Sequence, residues 1–231
     1  MMKREKLLLL AAGLLSLAMT PGESFRSEIF HNDRVAAYLL EIPAQTTEVR
    51  RNQTDELSVF LSGGSVTSLR EGATGPIQIP PQTGEVRFKS ASTSYETRND
   101  DPTQTYRAVV VGFTDRQGYP ISEQLPARHY CNEGTLKACV TEKHLLCTTK
   151  ICVADVEMTA GATRGGFASD TDTMLVAVSD YRLSDDPLVA APKHVRPSGQ
   201  VEWIPAGAPN RWTNVSTAPT RFIVIRFSPK R

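Results

Sequence analysis

The chain has 231 residues, with 26 Lys and Arg against 25 Asp and Glu, for a formal charge of +1. Hydrophobic residues at 40% and charged residues at 22% are ordinary for a globular protein and exclude a disordered chain. The basic excess of a nucleic-acid binder, or of a segment drawn to anionic lipid, is absent.

Residues 1–22 come first. Lys3, Arg4 and Lys6 precede an apolar run over 7–19, which Thr20-Pro21-Gly22 ends. That is the layout of a secretory signal peptide cleaved near Gly22. The run is shorter than the roughly 20 residues a membrane-spanning helix needs, and no later stretch approaches that length. Removing three basic residues and one acidic residue with the leader leaves 23 against 24, or −1. The sequence therefore predicts an exported protein, periplasmic or extracellular, with no transmembrane segment and no nucleic-acid partner.

Strand patterns follow at 35–42, 57–61, 85–88 and 107–113, rich in Val, Ile, Phe and Tyr between Gly, Pro, Asn and Asp clusters. A turn-rich stretch over 114–120 then interrupts the pattern. Next come the only cysteines, Cys131, Cys139, Cys147 and Cys152, spaced CX7C, CX7C and CX4C. In an exported chain an even, clustered set reads as two disulfides. The competing zinc reading lacks the CX2C knuckles of structural zinc sites. Three pairings are open, of which Cys131–Cys139 with Cys147–Cys152 is the simplest local one. Bridges closing such short loops staple the connection between units more than a whole domain.

Further strand patterns lie at 151–158, 174–179, 200–204 and 221–227, and they repeat the first set. Glu41-Ile-Pro-Ala-Gln-Thr-Thr47 matches Glu157-Met-Thr-Ala-Gly-Ala-Thr163, and Gly84-Glu85-Val86-Arg87-Phe88 matches Gly199-Gln200-Val201-Glu202-Trp203. Asn99 falls on Asn214, and residues 106–113 on 220–227. Ordered matches at an offset near 115 signal a duplicated domain, since solenoid repeats are far shorter. No segment carries a sustained 3.6-residue apolar period, so the expected class is all-β, with antiparallel strands.

With these residues in view, each unit resembles a cupin, and the chain after its leader resembles a secreted bicupin of the cupin superfamily. The cues are Asn32-Asp33-Arg34-Val35, Ile42-Pro43-Ala44, Asp55-Glu56-Leu57-Ser58-Val59, the Gly84–Phe88 motif and Arg98-Asn99 before 107–113. Asp155-Val156-Glu157, residues 171–180, Gly199–Trp203 with Pro205-Ala206-Gly207, and Asn214 before 221–227 answer them. The resemblance implies two tandem antiparallel jelly-roll barrels. They would cover 23–118 and 119–231, the second with a Cys-rich entry segment over 131–152.

Metal-binding members of that family place two His two residues apart on one strand, then a Glu, then a third His. Alternation along a strand would turn both imidazoles inward. Here the resemblance puts Arg50-Arg51-Asn52 and Tyr95 at those positions in the first unit, and Phe167-Ala168-Ser169 and Asn210 in the second. Carboxylates remain as Asp55 or Glu56, and as Asp172. His31, His129, His144 and His194 lie outside the ligand pattern and read as solvated loop side chains. The expectation is no metal, no cofactor and no catalytic residue. No GxSxG elbow supports nucleophilic catalysis either.

The first unit keeps a polar interior of Arg50, Asn52, Glu56 and Tyr95. Arg50 offers donors for a small anionic or hydroxylated ligand; alternatively, an internal Arg50–Glu56 pair fills the old site. Phe167, Ser169 and Asn210 give the second unit a smaller, more neutral interior that suggests packing. The leading reading is a non-catalytic small-ligand-binding or protein-interaction module. The alternative is a cupin-type enzyme, using acid–base groups of the first unit or a metal at an unrecognised site. A purely structural protein is the third reading. Asn52-Gln53-Thr54 and Asn214-Val215-Ser216 match the glycosylation sequon. Homodimers through an edge strand are common in the family resembled, but no residue here points to one.

Overall fold

The computed structural model describes residues 25–62, 64–79, 82–118, 120–121, 126–134, 137–165, 170–184, 195–208 and 211–229. The leader, Phe167, Ser169, His194 and Asn210 lie outside the described residues. The N-terminal half contributes β1 (Arg26–His31), β2 (Val35–Ile42), β3 (Thr47–Arg51), β4 (Glu56–Phe60), β5 (Val66–Arg70), β6 (Ile77–Ile79), β7 (Val86–Lys89), β8 (Ser94–Asn99) and β9 (Tyr106–Phe113). The C-terminal half contributes β10 (Arg128–Cys131), β11 (Cys139–Cys147), β12 (Ile151–Met158), β13 (Thr163–Arg164), β14 (Thr173–Ala177), β15 (Leu183–Ser184), β16 (Val201–Ile204), β17 (Trp212–Asn214) and β18 (Thr220–Phe227). The eight strands read from apolar patterning are present to within two residues at either end. Among the described residues there is no helix, and so none long and apolar enough to cross a membrane.

Among the described residues the strands form four open sheets, antiparallel at every pairing. Their orders are β1-β2-β9-β4-β7 and β3-β8-β5-β6 in the N-terminal half, then β10-β11-β12-β18-β14-β16 and β13-β17-β15 in the C-terminal half. The central strands of the large sheets are buried on both faces. Along β9, Ala108 and Val110 face the small sheet of their own half, packing with Leu40, Ile42, Phe60 and Val66. Val109, Val111 and Phe113 face the other half. On β18, Phe222 and Val224 pack with Trp212 and Ala162, while Ile223, Ile225 and Phe227 join the shared core. Near-continuous apolar runs are the signature of strands covered on both sides.

The shared core has pseudo-two-fold character. Phe113 and Phe227, equivalent in the repeat, touch with ring centroids 6.3 Å apart. Reciprocal contacts flank them. The Gly84 turn lies against Arg221, whose Nη1 donates to the Thr83 carbonyl at 2.8 Å, and the equivalent Gly199 turn lies against Leu61 and Arg107. Self-complementary contact of this kind is how identical subunits pair, here within one chain. Gly84 has φ +83° and Gly199 has φ +91°, and a Cβ on Gly199 would come within 2.9 Å of Leu61 Cδ1. Gly199→Ala is therefore expected to lower stability by about 1–3 kcal/mol, from left-handed backbone strain compounded by the clash. Denaturant unfolding measures it, and an unchanged midpoint would contradict this account.

Both disulfides follow the simplest pairing, Cys131–Cys139 and Cys147–Cys152. Their placement differs from expectation. They cross directly opposed positions of β10–β11 and β11–β12, so they brace one sheet of the C-terminal half, not the connection between halves. The cysteine segment is itself mostly strand, because β11 spans nine residues between two of the four sulfurs.

Candidate functional site

The inward face of the N-terminal half's small sheet is polar. On β3, Val49 and Arg51 point to solvent, while Glu48, Arg50 and then Asn52 alternate inward. Opposite them on β8, Tyr95 pairs with Arg50 and Thr97 with Glu48. The large sheet adds Arg26 from β1, Glu56 from β4 and Lys89 from β7. Val86 and Phe88 pack toward the shared core, which turns Arg87 and Lys89 inward.

These groups form one ion cluster. Arg26 donates from Nε to Glu48 Oε1 at 2.9 Å and from Nη1 to Glu56 Oε1 at 3.2 Å. Arg50 Nη2 donates to Glu56 Oε1 at 3.1 Å. Glu56 is almost wholly buried, whereas the Arg50 side chain is 33% exposed and forms the cluster's accessible edge. Lys89 Nζ lies 4.8 Å from the Tyr95 ring centroid, and no acidic oxygen lies within ion-pair reach of it among the described residues. Burial, then the nearby Arg26 cation, lowers the Lys89 pKa, against opposing pulls from Glu56 and Glu48. Asn52 is 2% exposed, and its buried Nδ2 has no hydrogen-bond partner.

Asp55 and Glu56 point in opposite directions. Asp55 turns away, accepting from the backbone N–H groups of Ala91 and Gln117, each at 2.7 Å. Asp172, its counterpart, accepts from Ala206 N at 2.9 Å and pairs with Arg34 at 2.9 Å. Both hold a loop in place. The Asn99–Asn214 match has the same kind of origin. Asn99 Nδ2 donates to the carbonyls of Ile42 and Gln104, and Asn214 Nδ2 to those of Met158 and Ala218. Asn214 is thus enclosed, as is Asn52, so neither sequon presents an accessible amide.

The C-terminal half departs from the neutral interior expected of it. Glu142 on β11 accepts from Arg164 Nη2 at 3.0 Å and from Arg226 Nη2 at 2.6 Å. Arg164 also lies over the Trp212 ring, 4.9 Å from Cζ to centroid. In the repeat, Arg26 corresponds to Glu142, and Glu48 to Arg164. Glu56 corresponds to Thr173, and Gly112, its partner across the sheet, to Arg226. One half holds an arginine between two carboxylates; the other holds a carboxylate between two arginines. Sequence reasoning missed Arg26, Glu48, Lys89, Glu142, Arg164 and Arg226. An offset of 116 applied to residues 26 and 48 would have found the exchanged charges.

His144 also differs from expectation. It lies on β11 and not in a loop, with both ring nitrogens buried and unpartnered. His129 on β10 bonds Thr141 Oγ1 at 3.0 Å, and His31 ends β1, 3.9 Å from Glu28. Among the described residues one group of three ligand-type side chains converges, His129 with Cys131 and Cys139. Its sulfurs are consumed by their bridge. Glu56 is met by two cations, Arg26 and Arg50, a surrounding that does not fit a metal ion. A cavity of about 340 Å³ lies apart from both clusters, beside Tyr181, Arg182 and Val215. Tyr181 there is committed to Glu202, at 3.3 Å, and the cavity gathers no comparable charge.

No family model and no curated protein matches the chain. Solved structures do. A cupin 2 conserved barrel domain protein from Leptotrichia buccalis is 11% identical, with TM-score 0.56, and the match covers 88% of each chain. Oxalate decarboxylase from Lactobacillus farciminis, in its formate complex, is 12% identical, with TM-score 0.57, over 85% of this chain and 78% of that one. A vicilin from Solanum melongena, described as holding different anionic ligands in structurally similar pockets, is 11% identical, with TM-score 0.54, over 85% and 76%. The likeness shows a cupin-type fold, shared by enzymes and storage proteins alike.

Proposed function

We propose that the protein is an exported, metal-independent bicupin acting as a binding module for a small anion, held inside its N-terminal half. In this reading residues 1–22 are a cleaved leader, and two jelly-roll barrels cover 23–118 and 119–231. The cross-strand disulfides are consistent with export. The observation that carries the ligand reading is an excess of donors. Lys89 has no acidic oxygen within ion-pair reach among the described residues, the Arg50 side chain is 33% exposed beside Glu56, and the Asn52 amide adds a buried donor with no acceptor. An incoming carboxylate would satisfy Asn52 and Lys89 and share Arg50, whose planar fork suits it. Tyr95 supplies a flat wall. Anionic ligands in the vicilin's pockets support the same chemistry on this fold.

The 3.1 Å Arg50–Glu56 contact favours a second reading, in which the cluster only fills its own interior. Calorimetric titration of chelator-treated protein with formate, malonate and succinate separates the two. One-to-one binding of at least one of them is expected, weakened roughly tenfold or more by Arg50→Gln, since a charged hydrogen bond contributes about 1.5–3 kcal/mol. No heat with any of them, or heat unchanged in Arg50→Gln, would leave the self-filled reading standing.

A further inference from the structure

Lys89 has no structural task that its position requires. It lies opposite Glu56 on the inward face of β7, and the repeat places Ile204 at the same inward position, opposite Thr173. Ile204 is buried in an apolar cluster. The fold therefore accepts a plain hydrocarbon here, yet the N-terminal half carries an amine. That amine is turned into a polar interior, it has an aromatic ring 4.8 Å away, and no ion-pair partner lies within reach among the described residues. Lys89 is half-buried, and burial moves its amine toward the neutral, nucleophilic form against the opposing pull of Glu56 and Glu48.

Resting on the anion reading of the same interior, we propose that Lys89 is an imine-forming residue whose ligand is a small 2-oxo acid. The carboxylate meets Arg50 and Asn52, which leaves the adjacent carbonyl carbon to the Lys89 amine. The nitrogen lone pair attacks that carbon, and the carbonyl oxygen takes up a proton to give a carbinolamine. Loss of the hydroxyl with one amine proton, as water, leaves the C=N bond. No oxidant is consumed, and hydrolysis returns both partners. The ionisable groups facing Lys89 are Arg26 and Arg87 as cations and Glu48 and Glu56 as carboxylates, with Tyr95 beside it.

The test is reductive trapping. Purified protein is incubated with pyruvate and borohydride, the added reductant that converts C=N to a stable secondary amine. The expected result is a mass increase of one reduced pyruvate per chain, mapped to the peptide holding Lys89. It should form at Lys89 in preference to the surface lysines, because burial moves the Lys89 amine toward its neutral form. Lys89→Ile, which copies the sister half, and Lys89→Arg, which keeps the cation, should both lose the adduct while remaining folded. No adduct, or one spread evenly over Lys137, Lys143 and Lys150, would overturn the proposal. Calorimetry with L-lactate, which offers the carboxylate without the carbonyl, separates the two readings. Lactate binding without pyruvate trapping sinks the imine alone; absence of both sinks the anion site as well.

Discussion

Glu142→Ala is expected to destabilise the protein by about 3–5 kcal/mol, the cost of stripping a buried charge of its partner. The Glu142 and Arg164 side chains are 7% and 6% exposed, and Arg164 has no second acid within reach among the described residues. Arg226 is 34% exposed and can turn to water, so most of the loss falls on Arg164. Chemical denaturation reads the effect directly. Glu142→Leu combined with Arg164→Met should recover part of it, because an apolar pair of similar volume needs no charge partner. If Glu142→Ala cost less than about 1 kcal/mol, the triad would be a solvated surface group and the assignment of this interior would fail.

The same triad sets an acid limit. Burial pushes the Glu142 carboxyl up, but the Arg164 and Arg226 cations and their hydrogen bonds outweigh it and hold it below its ordinary value of 4.5. A carboxyl lowered in the folded state adds stability that is complete above its unfolded value and is lost as pH falls through the folded one. Stability should therefore decline below about pH 4.5, and Glu142→Gln should flatten that limb.

The exchange of charges between halves reconciles two interiors of different residues with the matching sequence positions that build them. What the two halves share is a network of oppositely charged groups bridging β1 to β3 in one half and β11 to β13 in the other. Arg26 with Glu48 in one half is answered by Glu142 with Arg164 in the other. The third member differs in strand: Glu56 on β4 in one half, Arg226 on β18 in the other. Pairing geometry survives a simultaneous reversal of sign, whereas reversing one side alone leaves two like charges facing in a poorly solvated space. The halves nevertheless differ at Lys89 and Ile204, and there the N-terminal half gives up apolar packing for an amine.

The same chemistry decided what the sequence could reveal. The buried strands of the large sheets announce themselves, since 106–113 and 220–227 are nearly continuous apolar runs. The strands of the small sheets do not. Thr47–Arg51 turns Glu48 and Arg50 inward, and Ser94–Asn99 turns Tyr95, Thr97 and Asn99 inward, so no apolar alternation exists to be read. Strand β11 was hidden for a different reason. Its two cysteines drew the segment into a disulfide reading, although Val140, Glu142 and His144 already alternate with Thr141 and Lys143. Arg50, Asn52, Glu56 and Tyr95 were legible through the family resemblance alone. The other charged members, Arg26, Glu48 and Lys89, lie outside any motif and needed the sheets to bring them together.

Phe227→Ala is the second substitution with a large expected effect, about 3–5 kcal/mol for a buried aromatic truncated in a shared core. Phe227 is 3% exposed and meets three partners at once: Phe113 at 6.3 Å, Trp203 at 5.0 Å, and the Arg34 guanidinium 4.8 Å above its ring. Arg34 also bonds Asp172 at 2.9 Å and the Ser228 carbonyl at 2.9 Å, so the truncation loosens an inter-half clamp as well as opening a cavity. Phe113→Ala removes the pseudo-symmetric mate but keeps the Trp203 and Arg34 contacts, and it should cost less. The double variant should fall short of the sum of the two by about 0.5–3 kcal/mol, because each ring lines the cavity left by the other. Strict additivity would mean that the halves do not meet through this pair. A single denaturation transition lost coincidentally by tryptophan fluorescence and far-ultraviolet dichroism would show them unfolding as one unit, as a core shared between Val109 and Ile223 requires.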